Sequence, residues 1–161
     1  MTATAIARDG TQYVTLGIDQ GVFAVEVEEV REILDMRPTS HVPNAPSFMM
    51  GLIDVRGHSV PVIDLRIKLG LPAIPPTEHT RIIVLEVTTD ERLRLVGLVA
   101  DRVFEVTSLT EGQSEPPPDL GMRWHSDYIQ SIGRRGEAFV IVFNIDHLLS
   151  SAEAAEIAVA R

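Results

Sequence analysis

The sequence predicts an all-β protein of the sandwich or barrel class, and three observations carry that prediction. Short runs rich in Val, Ile and Leu recur along the chain, each of strand length and each bounded by turn residues. Helical spacing is confined to brief segments. Two motifs recur in the same order, which suggests a duplicated half holding some five strands.

Taken from the N-terminus, "QYVTLGI" alternates, with Val14, Leu16 and Ile18 on one side, and Asp19–Gly21 turn it into "VFAVEV". Glu28–Leu34 switches to helical spacing, with Val30, Ile33 and Leu34 on one face, so a helix of about two turns is expected there. "PNAPSFMMG" is a proline-bounded loop with room for one helical turn, because each proline pushes its predecessor out of the α region. "GLIDVRGHSVPVIDLR" (Gly51–Arg66) has two apolar runs meeting at Arg56-Gly57, the pattern of a hairpin, and "RIKLG" closes it. After the connector "LPAIPPTEHT" come the strands "RIIVLEV" and "LRLVGLVA", joined by "TTDER". "EGQSEPPPDLGM" is a second proline-rich loop, and "AFVIVFNI" is a last strand. Strands carry apolar residues on both parities in places, as expected where small barrels pack against each other. The boundaries expected are a flexible N-terminus over residues 1–11, one domain over 12–149, and a helix-prone tail over 150–161.

The repeat pairs "EEVREI" (Glu28–Ile33) with "DRVFEV" (Asp101–Val106), and "IDVRGHSVPVIDL" (Ile53–Leu65) with "IGRRGEAFVIVFNI" (Ile132–Ile145). Arg56-Gly57 then matches Arg135-Gly136, with a one-residue slip downstream. The motifs lie about 75 residues apart in each case.

Composition narrows the function. A net charge of −9, with no Lys/Arg cluster, disfavours a phosphate-backbone partner and an acidic membrane surface. The absence of cysteine removes disulfides, thiolate metal sites and cysteine nucleophiles. The first residues lack a basic start and an apolar run, and no aliphatic run reaches a membrane span, so a cytoplasmic setting without membrane insertion is expected. Hydrophobic residues make up 45% but aromatics only 5%, so the core must be aliphatic.

No constellation for catalysis emerges. His41, His58, His79, His125 and His147 have no metal-binding spacing, so neither metal nor cofactor is expected. His58 reads as a solvated turn residue that could also orient a substrate. Asp54 and Asp64 flank the hairpin and could converge as a carboxylate pair, or serve as strand-end turn and cap residues. "GRRG" (Gly133–Gly136) falls in a hairpin turn rather than at a helix start. Trp124 could plug a core edge or anchor a partner. Arg56 is either an exposed turn arginine or a recognition fork, and Val30 is either core or contact surface. The balance moves from catalysis toward binding, with an enzymatic or small-molecule-binding β-barrel as the alternative.

From about Gln12 to Leu149 the chain resembles the CheW chemotaxis coupling proteins. The resemblance lies in "VEEVREIL", "PNAPSFMMGLIDVRGHSVPVIDLRIKLGL", "VGLVADRVFEVTSL" and "DYIQSIGRRGEAFVIVFNIDHLL". It implies two intertwined five-stranded SH3-like barrels with short helices, and a non-enzymatic adaptor. The implied partners are a CheA-type histidine kinase, through its CheW-like regulatory domain, and the cytoplasmic tip of methyl-accepting chemoreceptors, within membrane-associated arrays. The family's receptor-side arginine falls on Arg56 in an Asn-x-Arg-Gly motif whose asparagine is here Asp54. Val30, Glu32 and Gly51 match positions linked to partner binding, and no kinase-contacting residue is assigned. An acid two residues before Arg56 is expected to share its strand face, where the two could pair and compete with a receptor acceptor.

Overall fold

A computed structural model describes residues 11–89, 91–109 and 128–149. All but Thr11 of the expected N-terminal segment, Trp124, His125, the whole second proline-rich loop and the helix-prone tail lie outside these residues. Ten strands carry the described chain: β1 (Tyr13–Ile18), β2 (Gly21–Glu26), β3 (Val30–Asp35), β4 (Met49–Val55), β5 (His58–Asp64), β6 (Arg81–Thr89), β7 (Arg92–Ala100), β8 (Arg102–Thr107), β9 (Ile129–Arg135) and β10 (Ala138–Phe143). Two short helices follow the β4–β5 and β9–β10 hairpins: α1 (Leu65–Lys68) and α2 (Ile145–Leu148). Asp64 and Asn144 cap them, each accepting a backbone N–H of the first turn.

The strands form two five-stranded sheets, ordered β8-β1-β2-β10-β9 and β3-β6-β7-β5-β4. These orders are one order written twice, with β6–β10 substituting for β1–β5 and the reverse. Each half of the sequence donates its first hairpin to the sheet of the other half. The parallel contacts are equivalent too, β2 with β10 and β7 with β5. That exchange is the physical content of the sequence repeat.

Aliphatic residues at both parities now have a reason. Val14, Leu16, Ile18 and Phe23 of one sheet pack against Ile63, Ile83, Leu85 and Leu98 of the other in the main core. The opposite faces fill two smaller cores: Ile53, Val60, Val62, Ile82 and Val84 in one sheet, and Tyr13, Ala24, Val140 and Val142 in the other. Burying such side chains contributes about 1.5–3 kcal/mol each, and the layered arrangement lets one strand contribute on both faces.

Two expectations give way. Glu28–Leu34 is not a helix: Val27–Glu29 makes one 3₁₀ turn, and Val30–Asp35 is an edge strand paired with β6. The helical spacing was produced by a bulge between Val30 and Glu32, which shifts the alternation of a strand by one residue. The proline-bounded loop holds tight turns rather than a helix, with Met49 N–H donating to Pro46 C=O at 3.0 Å. Neither sheet closes into a barrel through a backbone ladder among the described residues. β3 and β4 remain the edges of one sheet and β8 and β9 those of the other. An isolated bridge, Ser40 to Leu52, carries the chain after β3 onto the free side of β4.

Candidate functional site

The β4–β5 hairpin has a two-residue loop, since Val55 pairs with His58. Arg56 (φ 51°) and Gly57 (φ 86°) both lie in the left-handed region, which defines a type I′ turn. Gly57 takes this without steric cost; Arg56 does not. Asp54 accounts for the local geometry, because its Oδ1 accepts the Gly57 N–H at 2.9 Å and braces the turn. The carboxylate beside Arg56 is therefore spent on the backbone, and the expected Asp54–Arg56 pairing does not occur.

Arg56 pairs instead with Glu32 on β3. Its Nε donates to Oε2 at 3.0 Å and its Nη2 to Oε1 at 3.4 Å, a two-pronged contact that raises the guanidinium pKa further. The Arg56 side chain is 79% exposed, so the fork is braced from one side and open to solvent on the other. The pair spans the opening between β3 and β4. Arg37 on the β3–β4 connection adds a second link, donating to the Asp54 carbonyl at 3.1 Å.

The other half repeats this clasp. Arg135 at the end of β9 pairs with Glu105 on β8, so the Arg56–Glu32 and Arg135–Glu105 pairs occupy equivalent places across the open edges. The turns are not equivalent. Arg135 pairs with Ala138, which leaves Gly136 (φ 66°) and Glu137 as the loop, with glycine alone in the left-handed region. The one-residue slip in the repeat lies at this turn. Of "GRRG", only Gly136 is a loop residue.

The remaining two candidates are framework positions. Val30 is half-buried against the main core, opposite Leu85. Gly51 (φ 149°) passes so close to the preceding segment that a Cβ would lie 2.4 Å from the Ser40 carbonyl oxygen. Glu32, Asp54 and Arg56 thus meet at the hairpin tip, while Val30 and Gly51 hold the strands that carry it. Asp64 does not join Asp54: it lies at the far end of β5, where its Oδ1 accepts the Arg66 N–H at 2.9 Å. Burial pushes its carboxyl above the usual range, partly offset by backbone donors. Among the described residues, no cluster of three His, Cys, Asp or Glu side chains could hold a metal.

One charged network escaped sequence reasoning. Arg66, with only 10% of its side chain exposed, donates to Asp101 at 2.6 Å, Asp19 at 3.2 Å and the Pro72 carbonyl at 2.8 Å. It ties α1 to the β1–β2 turn and the β7–β8 junction, and hence one sheet to the other. The only signal in the sequence was an arginine immediately after an apolar strand end. Its two acids lie 47 and 35 residues away.

A duplicated sheet module with clasped edges thus presents an exposed, braced arginine as a surface for interaction. The chain belongs to the CheW-like domain family, whose pattern covers residues 12–153. It is 32% identical to the chemotaxis protein CheW of Klebsiella aerogenes over 146 residues, 91% of this chain and 86% of that one. Over 151 residues it is 26% identical to the CheW of Rhizobium meliloti, 94% and 95% of the two chains. In fold it resembles the scaffolding protein CheW of Thermoanaerobacter tengcongensis, with a TM-score of 0.77 at 23% identity over 89% and 90% of the two chains. The protein is a non-enzymatic chemotaxis adaptor.

Proposed function

We propose that this adaptor couples the cytoplasmic tips of methyl-accepting chemoreceptors to a CheA-type histidine kinase, in the cytoplasm beneath membrane-associated receptor arrays. The receptor contact centres on Arg56. The observation that carries this reading is the state of that side chain: an exposed guanidinium in a left-handed turn position that glycine would fill more easily, with Glu32 holding one face of the fork. Strain of order 1–3 kcal/mol at an exposed residue is expected where a side chain is presented to a partner. Glu32 and Asp54 belong to the same contact, the first by aiming Arg56 and the second by bracing its turn. Val30 and Gly51 support it from β3 and β4.

Pull-down with the cognate kinase and a soluble receptor tip tests the reading. Folded wild-type protein should retain both. Arg56→Ala should weaken receptor capture by about tenfold or more while leaving kinase capture near wild type. Equal losses for both partners would refute the assigned side, and capture of neither by wild-type protein would remove the adaptor reading altogether.

A further inference from the structure

The two parallel strands β5 and β7 share a ladder over only three residue pairs, from Val62 with Gly97 to Asp64 with Val99. Toward the Arg56 end of the sheet they splay. Along this stretch β7 is fully paired with β6 and β5 with β4, so each turns one strand edge toward the gap. The gap is a cleft of about 580 Å³, within the range of about 300–1,000 Å³ typical of ligand-holding clefts. Its rim carries Arg31, Arg92, Arg94 and His58; Glu86, the one acid among the described lining residues, pairs with Arg31 at 2.5 Å. Leu93, 68% exposed, adds an apolar foothold among them. Three arginines around one cleft are conspicuous in a chain whose net charge is −9.

The arrangement of these groups selects the ligand class. Arg92 and Arg94 lie along β7, while Arg31 reaches the cleft from β3 and His58 from β5, so basic groups line it from several sides. Two strand edges face the gap; Pro61 on β5 has no N–H, so an extended chain entering it would draw its main-chain partners chiefly from β7. Alternation of Arg92, Leu93 and Arg94 offers charge and apolar contacts to a segment that itself alternates. We propose that the β5–β7 cleft is a second docking site, which takes an extended acidic segment of a partner protein, with acidic and apolar residues alternating, by strand addition. Its basic rim draws the segment in.

The probe is a rhodamine-labelled peptide, acetyl-Glu-Val-Glu-Val-Glu-Val-Glu-amide, titrated against the full chain by fluorescence anisotropy at low and physiological salt. It should bind, and added salt should weaken it. Arg92→Glu combined with Arg94→Glu should weaken binding at least tenfold, and Leu93→Asp severalfold. If the double variant fails to fold, Arg92→Glu alone, at an exposed position, should still weaken binding severalfold. A version N-methylated at alternate residues should bind at least tenfold more weakly, because it cannot complete a ladder. The Arg92→Glu, Arg94→Glu variant should leave receptor capture near wild type, which separates this site from receptor coupling. Equal binding by a Lys-Val peptide, indifference to N-methylation, or full displacement by millimolar inorganic phosphate would overturn the proposal, as would absence of binding.

Discussion

Arg56 unites two opposite demands. Its backbone sits where glycine is preferred, and its side chain is held outward by Glu32. Arg56→Gly should therefore leave the melting temperature unchanged or higher, while receptor capture falls as far as in Arg56→Ala. A clear loss of thermal stability, followed by circular dichroism, would show that the arginine is structural after all. How much of this was legible follows from range. The Arg-Gly turn was readable because a type I′ loop is a local event between alternating apolar runs. The partner of Arg56 was not: the nearest acid in sequence, Asp54, is consumed by the Gly57 N–H, and the actual partner comes from another strand, 24 residues away.

The strands and hairpins were mostly visible in the periodicity, and the failure at Glu28–Leu34 has a definite cause. A bulge in β3 moves Val30 out of step with Leu34, and the resulting spacing imitates one face of a helix. Position 51 shows how sequence and fold agree. Gly51 lets the Ser40 segment bridge β4, with Ser40 N–H donating to the Leu52 carbonyl at 2.8 Å and Leu52 N–H returning at 2.9 Å. Gly51→Ala should cost on the order of 2–3 kcal/mol, since it adds both a backbone clash and an unfavourable φ, and chemical denaturation should show it as a lower midpoint. Arg66→Ala should be worse, about 3–5 kcal/mol, because it leaves the Asp19 and Asp101 carboxylates at a junction without their cation. Neither effect was available from composition, as each depends on segments that only the folded chain brings together.

Across the whole molecule the exchange of hairpins makes the halves interdependent. Residues 11–78 and 79–149 should each stay unfolded alone and regain strand structure on mixing, as read by circular dichroism; independent folding of either would contradict the observed sheet orders. The two junctions where the chain crosses between sheets are electrostatic opposites. Arg66 binds Asp101 at one, whereas at the other Asp146, in the position equivalent to Arg66, joins Glu26 and Glu28 around Glu29. Burial first, and then these three carboxylates, raise the Glu29 pKa from 4.5 to about 7. With the folded value above the unfolded one, the folded state binds the proton more tightly, so the contribution of this group to stability is greatest below about pH 4.5 and is lost as pH rises through 7. Glu29→Gln should accordingly melt higher than wild type at pH 8, with the difference shrinking toward pH 5. The hairpin exchange also speaks to ancestry. A gene encoding only β1 to α1 would leave each copy with a displaced hairpin and a vacant place for another, a demand that two identical copies satisfy mutually about a twofold axis. Joining such a pair head to tail would release the two faces from symmetry. The divergence of Arg56, strained and presented, from Arg135, relaxed at the end of a strand, is what that freedom permits.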